Sequence, residues 1–385
     1  MSERKLVTIR KITNIVPIDG ADSICSYTVD GWNVVDLIGK YSIGELVVYF
    51  EVDSWIPCEL APFLSKGNEP REYNSVRGER LRTIKLRKTL SQGLILPLWN
   101  QQIVDSDNRQ SKLIPGLIEK IANFENVSNR QYPVWVEHVT GNRYYIDPES
   151  QEKEVFDIDL SKVLNVQKWE APIPVEMRGA MKGNFPFFIP KTSEDRLQNL
   201  VREFNKWKET GQTWEVTEKL DGSSMTGYYN NGEFGVCSRN IDLIRSDTNT
   251  FWKVAIENDI ESKLRSLNMN LAIQGELCGP GIQGNRYMLS SYDIFVFNVY
   301  DIDKQQYLVP YDRRLLIMDL GLRHVPLLAE QYMLTEQQTI NDVLLFAEDK
   351  SYLNNKVERE GLVFKNVVDG TSFKAISNRY LLKFQ

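Results

Sequence analysis

Histidine is almost missing from this chain: His138 and His324 are the only two in 385 residues. Imidazole chemistry therefore has little room, and any catalysis would rest on Lys, Asp, Glu and Arg. Cysteine is sparse as well. Cys25, Cys58, Cys237 and Cys278 show no C-x-x-C spacing, which argues against a zinc site or a disulfide framework and for a reducing, cytoplasmic compartment. No apolar run approaches the roughly 20 residues of a membrane span, and Met1-Ser2-Glu3-Arg4-Lys5 is not followed by a signal-type apolar segment. Positive charge is not in excess either. The net charge is −6, so nucleic-acid binding would have to use local patches. There is no internal repeat and no low-complexity tract. What remains is 42% hydrophobic and 25% charged, the composition of a soluble globular protein long enough for two or three domains.

The chain changes character along its length. Residues 1–100 read as short strands, such as Val7–Ile12, Trp32–Leu37 and Leu46–Phe50, punctuated by Gly, Asp and Pro. This pattern predicts a small β-barrel of the OB type. Within it, Arg77 to Lys88 carries six basic residues and one acid. Read as a strand, it turns Ile84 and Leu86 inward and Lys85 and Arg87 outward. Arg80, Arg82, Lys85 and Arg87 are then candidate RNA contacts, or else a solvated face. Residues 101–156 read as an insertion, with polar loops at Asp105–Ser111 and Pro148–Glu154 and a helical pattern from Leu117 to Phe124. Residues 157–190 read as a linker: a short helix begins near Asp159, and Ala171-Pro172-Ile173-Pro174 opens an extended stretch. Residues 191–385 alternate strands and helices, a mixed α+β domain that opens on an amphipathic helix from Ser193 to Lys208.

The most informative stretch lies in that second domain. Lys219-Leu220-Asp221-Gly222 fits K-x-D-G, the pattern of enzymes that load a nucleoside monophosphate onto their own lysine. Strand-like runs lead into it (Thr213–Glu218) and out of it (Met225–Tyr229), so the lysine would sit on a tight loop between strands. An ammonium is no nucleophile, and burial or neighbouring positive charge must lower its pKa before it attacks an α-phosphorus. Asp221 would project near the same pocket, toward a hydrated metal or a sugar hydroxyl. Gly222 would let backbone approach the ligand. Taken alone, the motif is also read as a surface lysine before an Asp-Gly turn.

Further elements follow in the order such chemistry needs. Ser238-Arg239-Asn240 ends a strand, and Arg239 would meet phosphate or sugar. Gly275-Glu276-Leu277 supplies a second acid. Phe295-Val296-Phe297-Asn298 offers Phe297 to stack a base. Arg359-Glu360-Gly361-Leu362-Val363-Phe364-Lys365 pairs an acid with a lysine on one strand, and Ser372 to Lys383 closes with Lys374 and Lys383 on what reads as a strand. Together they provide one nucleophile, three acids, one aromatic and cations for a triphosphate. Phosphoryl transfer needs in-line placement and charge neutralisation more than proton chemistry. Mg²⁺ or Mn²⁺ held largely through water by Asp221, Glu276 and Glu360 would fit.

In this order the motifs resemble those of the covalent nucleotidyltransferases, which comprise DNA ligases, RNA ligases and capping guanylyltransferases. The details resemble ATP-dependent RNA ligases of the Deinococcus and Naegleria type, which carry an OB module before the transferase domain. Here a strand-rich module precedes Lys219 and the chain ends two residues after Lys383. Pro190 to Asn199, with Arg196, and Ser372 to Asn378 also resemble that group's flanking segments. The resemblance spans most of 1–100 and 157–385, and 101–156 does not align with the family pattern. It implies an ATP-grasp-like adenylation domain using ATP and Mg²⁺ or Mn²⁺. Lys219 would be the adenylated residue, and Asp221, Glu276 and Glu360 would bind hydrated metal or ribose. Arg239 would contact ribose or the end being sealed, Phe297 would stack on adenine, and Lys365, Lys374 and Lys383 would meet phosphates, with Gly222 and Arg196 in the same nucleotide site. The implied partner is RNA with 3′-hydroxyl and 5′-phosphate ends in a nicked duplex, acted on by a monomer, with no membrane involved. The alternatives are a capping-type guanylyltransferase and a non-catalytic RNA-binding protein with a degenerate transferase fold.

Overall fold

The computed structural model describes residues 4–98, 159–162, 164–172 and 179–384, together with the backbone of five strands between 101 and 145. It divides into two compact units, 1–171 and 172–384.

The first unit is an OB-type barrel built on one long strand. Val7–Pro17 pairs with Leu46–Phe50 through its first half and with Ile24–Val29 through its second, and the register shifts between Ile12 and Asn14. That shift turns the strand from one neighbour to the other, as barrel closure requires. The sheet order is Leu94–Pro97, Leu46–Phe50, Val7–Pro17, Ile24–Val29, Trp32–Leu37. Alternate residues fill two apolar clusters, one around Val7, Ile9, Val48 and Phe50, the other around Tyr27, Trp32, Tyr49 and Ile95.

The stretch read as a linker carries elements of both units. Leu160 and Leu164 join the core beside Val7 and Phe50. The Ser161 hydroxyl accepts from the amides of Leu6 at 3.0 Å and Val7 at 3.2 Å, and Gln167–Lys168 pairs with Ser54 and Trp55. Near Asp159 there is a turn, closed by Leu164 N to Leu160 O at 3.0 Å, rather than a longer helix. Met181–Asn184 belongs to the second unit, paired with Ile241–Leu243. Short strands with few alternating apolar residues gave no periodic signal from which to read these attachments.

Between 101 and 145 the described backbone is all strand. Gln101–Val104 pairs with Ser111–Ile114, and Ile118–Val127, Arg130–Glu137 and Arg143–Tyr145 form a second antiparallel sheet. From Ile118 on, the stretch read as a helical pattern from Leu117 to Phe124 is therefore a strand. Its three-residue apolar spacing coincides with a register shift between Ile121 and Phe124, which breaks the two-residue period by which strands are recognised. The polar loops at 105–110 and 148–154 and residues 173–178 lie outside the described residues.

The second unit holds two sheets. The larger runs Met181–Asn184, Ile241–Leu243, Glu233–Cys237, Ser223–Asn230, Leu271–Cys278, Asp293–Asp301, Gln306–Tyr307, with Arg323–His324 parallel to Asp293–Asp301. The smaller runs Asp195–Arg196, Ser372–Ile376, Gly361–Asn366, Thr213–Lys219, Leu327–Met333. The expected helix from Ser193 shortens to Val201–Glu209. Asp195 and Arg196 are drawn into the sheet beside Phe373 and Lys374, a tertiary pairing that overrides helical periodicity. Behind the smaller sheet, Trp207, Trp214, Phe364 and Phe373 stack with ring centroids 4.7–5.3 Å apart.

Candidate active site

Alternation along three strands decides what faces the site. Trp214 and Val216, Leu362 and Phe364, and Phe373 and Ala375 all enter the aromatic core of the smaller sheet. Side chains one position along point to the other face. In register this puts Glu215 opposite Lys365, Lys219 opposite Gly361, and Val363 opposite Lys374, with Arg196 beside Lys374. Lys219, Lys365, Lys374 and Arg196 thus share one surface.

Lys219 ends its strand, and Leu220-Asp221-Gly222 carries the chain directly into Ser223–Asn230 of the larger sheet. The K-x-D-G turn is the crossing between the two sheets. Gly222 is required by space: a Cβ there would lie 2.4 Å from the Leu277 carbonyl oxygen. That close approach lets the Gly222 amide donate to Glu276 Oε1 at 3.0 Å. Lys219 Nζ lies 2.7 Å from Glu360 Oε2. Lys365, 6% exposed, ties the sheets together by donating to the Phe297 carbonyl at 2.6 Å and to Asn298 Oδ1.

These charges act on one another. Burial lowers the pKa of Lys219, but Glu360, Glu276 and Glu194 outweigh it and hold the amine above its ordinary value. Burial pushes Glu276 up to about 8 against the opposing charge of Lys219, with Glu360 adding to the rise. Burial, with Arg313 nearby, pulls Lys365 down to about 7. Glu194 is held below the usual carboxylate range: burial opposes this, but Lys365, Lys374 and Lys219 prevail. The site is a dense alternation of acids and lysines in which neither sign is compensated by solvent.

An RNA ligase family model matches residues 212–379, and an OB-fold domain model matches residues 6–98. A Naegleria gruberi RNA ligase mutant with AMP and Mn is 40% identical to this chain, with a TM-score of 0.74, covering 99% of each chain. A further mutant of that ligase, with ATP and Mn, is 40% identical, with a TM-score of 0.73, over 98% of this chain and 99% of its own. The Naegleria gruberi RNA ligase with PPi is also 40% identical, with a TM-score of 0.73 over 99% of each. This chain belongs to the RNA ligase family. A search of curated proteins finds no match.

In this ligase the expected OB module and α+β transferase domain are both present, and the other expected residues divide. Phe297 is half-buried on Asp293–Asp301, its ring 5.6 Å from Lys365 Nζ. Arg239 is exposed on the turn between Glu233–Cys237 and Ile241–Leu243, and no bond joins it to the lysine cluster among the described residues. Lys383 is exposed on a helix, Asn378–Phe384, rather than on a strand, and its ammonium lies over the Phe384 ring. Ser377 before the helix, whose hydroxyl accepts from the Tyr380 amide at 3.1 Å, and the Tyr380-Leu381 pair that the helix buries mark it in retrospect.

Three acidic groups escaped the sequence reading. Glu194 lies among the lysines. Glu215 is fully buried and paired with Arg313 and Arg314, a partnership signalled by an acid flanked by Trp214 and Val216 inside a strand. Glu218 accepts from the Tyr352 amide at 2.8 Å, and burial raises its pKa against the opposing hydrogen bonds of Ser351 and Tyr352. Among the described residues, no three acidic, histidine or cysteine side chains lie close enough to grip a metal ion directly. Of the three acids expected there, Glu276 is bonded to the Gly222 amide, Glu360 meets the Lys219 ammonium, and Asp221 pairs with Arg286.

The basic run of the first unit is also different from its reading. It is the end of one strand (Val76–Arg80), a connection, and a hairpin, Ile84–Leu86 with Thr89–Ser91. Arg87 and Lys88 form the hairpin's two-residue turn, with φ of 46° and 66°. Ile84 is 50% exposed, not inward, because it is Leu90 that reaches the core side. Arg80 pairs with Asp53 at 2.5 Å and stacks 3.7 Å from the Trp169 ring. Arg87 donates to the Gly20 carbonyl. Arg82 and Lys85 are exposed.

Proposed function

We propose that this ATP-dependent RNA ligase seals 3′-hydroxyl and 5′-phosphate ends in nicked duplex RNA, with Lys219 as the adenylated residue. The observation that supports the assignment best is Lys219 Nζ at 2.7 Å from Glu360, on a turn whose Gly222 amide is bonded to Glu276. In the first step the Lys219 amine attacks the α-phosphorus of ATP, the bond to the β-phosphate oxygen breaks, and pyrophosphate leaves. Glu360 is the nearest acceptor for the ammonium proton. The amine stays protonated because Glu360 above all, then Glu276 and Glu194, opposes the effect of burial. A divalent cation held by Asp221, Glu276 and Glu360 would offset those acids and neutralise charge at the phosphate. Burial then acts on Lys219 without opposition and favours the free amine.

AMP next passes from Lys219 to the RNA 5′-phosphate, and the 3′-hydroxyl displaces it. Lys365 and Lys374 neutralise phosphate oxygens, Phe297 packs on the adenine, and Gly222 and Arg196 border the nucleotide. Arg239, exposed on its turn, is assigned to the RNA end rather than to the nucleotide. The first unit engages RNA through Arg82 and Lys85. We further infer a reducing, cytoplasmic compartment from the four free cysteines, and a chain that acts as a monomer; among the described residues no helix is long and apolar enough to cross a membrane.

Incubation with α-labelled ATP or GTP, then a denaturing gel, tests the assignment. Label from ATP alone, lost in Lys219→Ala, is expected. Label from GTP would favour the capping-type reading, and no label at all would favour a non-catalytic RNA binder.

A further inference from the structure

The K-x-D-G aspartate is gripped by two segments that no motif connects to it. The first is the loop after Leu271–Cys278. Its Gln283 side chain donates to the Gly222 carbonyl at 3.3 Å, its Tyr287 hydroxyl accepts from the Asp221 amide at 2.7 Å, and its Arg286 guanidinium pairs with Asp221 Oδ2. Gln283, Asn285 and Met288 in this loop have φ of 46°, 46° and 56°. Non-glycine residues hold that backbone only where their surroundings enforce it. The second segment is the helix Asn378–Phe384. Its Tyr380 hydroxyl donates to the same Asp221 Oδ2 at 2.5 Å and meets Arg286. The Arg286 guanidinium lies 4.1 Å from the Phe384 ring centroid, and its carbonyl accepts from Asn354 at 3.1 Å. One residue before this helix, the Ser377 amide donates to the Glu360 carbonyl at 2.9 Å.

The helix is thus tied at its start to one acid beside Lys219 and through Tyr380 to another. Both polar contacts of the Asp221 carboxylate fall on Oδ2, which fixes its rotation and leaves Oδ1 to meet a ligand. A carboxylate without these donors would swing toward the nearest ammonium instead. We propose that Arg286 and Tyr380 are positioning residues that orient Asp221 and thereby set the site's affinity for its divalent cation. This rests on the reading of Asp221, Glu276 and Glu360 as the acids around that cation.

The test uses charge-neutral variants of the full chain. Tyr380→Phe removes one donor to Asp221, and Phe384→Leu removes the ring under Arg286; neither alters the site's charge. Mn²⁺ is titrated into each metal-free protein and free Mn²⁺ is read from its EPR signal; in parallel, lysyl–AMP formation is followed against Mn²⁺ concentration. Tyr380→Phe should weaken Mn²⁺ binding about fivefold, the scale of one ordinary hydrogen bond, since Arg286 still holds Asp221. The half-saturating Mn²⁺ for labelling should shift equally, with the rate at saturating Mn²⁺ within about twofold of wild type. Phe384→Leu should shift both in the same direction by less. Unchanged Mn²⁺ binding in Tyr380→Phe would overturn the proposal. So would a rate lowered equally at every Mn²⁺ concentration together with a lower Tm, which would make the helix a structural brace. A wild type that binds Mn²⁺ yet forms no lysyl–AMP would overturn the functional reading instead, and the EPR titration would still decide the positioning role.

Discussion

The two units use positive charge in opposite ways. In the second unit Lys219, Lys365 and Lys374 are brought by strand register onto one face and held against Glu194, Glu276 and Glu360 where water is scarce. The pKa values of Lys219, Lys365, Glu194 and Glu276 move because burial and neighbouring charges act at low dielectric. In the first unit, by contrast, Arg82, Lys85, Arg87 and Lys88 stand exposed around a short hairpin, while Arg80 is occupied by Asp53 and Trp169. The same residue types form a buried cluster of opposed charges in one unit and an exposed hairpin surface in the other. The difference is burial and pairing rather than composition.

The contrast breaks most sharply at Lys219. Lys219→Ala should lower lysyl–AMP labelling by more than about a thousandfold while leaving the Tm near wild type. Arg at this position should not rescue, because a guanidinium does not deprotonate. Label retained on the Ala variant would end the assignment. Glu360→Ala should follow, costing roughly a hundredfold in adenylation, and excess chelator should abolish the wild-type reaction. Full rates in chelator would remove the cation from the scheme.

Separating the units should sharpen the comparison. A chain starting at residue 172 keeps both sheets of the second unit and should retain part of its lysyl–AMP formation while losing most sealing of 5′-phosphorylated RNA. A cut at about 155 would carry along Leu160, Leu164 and Val166 without the core they fill; the resulting fragment should be less soluble, as size-exclusion chromatography would show. Equal sealing by the full chain and the 172–385 fragment would refute an RNA role for the barrel.

Glu276 offers a subtler probe. Its pKa is raised in the folded chain to about 8. The folded state therefore holds the proton more tightly than the unfolded state, and Glu276 adds stability below its ordinary range that is lost as pH climbs through 8. In chelator, the Tm of wild type should fall over this window more than that of Glu276→Gln. Parallel curves would mean that Glu276 is not buried as described.

The smallest effects belong to the barrel's surface. Arg82→Ala with Lys85→Ala should reduce the log–log salt slope of RNA sealing by roughly 1 per lost phosphate contact without changing the Tm. Arg80→Ala should do the reverse, lowering stability by about 1 kcal/mol and leaving the slope unchanged. Identical salt curves for wild type and the double variant would make the hairpin a solvated face.

Much of this ligase could be read along the chain because it is local. Period-two apolar patterns announced the barrel strands and the strands around Lys219, and the spacing of K-x-D-G, G-E-L and E-G-x-V-F-K ordered the acids and lysines before any fold was known. Burial of a strand's alternate residues requires that pattern, so the pattern reports it. What depended on distant contact was silent. Glu194 became a site residue because its neighbours Asp195 and Arg196 pair with a strand about 180 residues away. Asp221 is oriented by Arg286 and Tyr380 from a loop and a helix with no motif of their own. The Arg77 to Lys88 run looked like one basic strand, but a connection over 81–83 splits it, a turn at Arg87 and Lys88 ends it, and an aspartate claims Arg80. Side-chain chemistry is written residue by residue, whereas the field each group experiences comes from neighbours that only chain folding brings near.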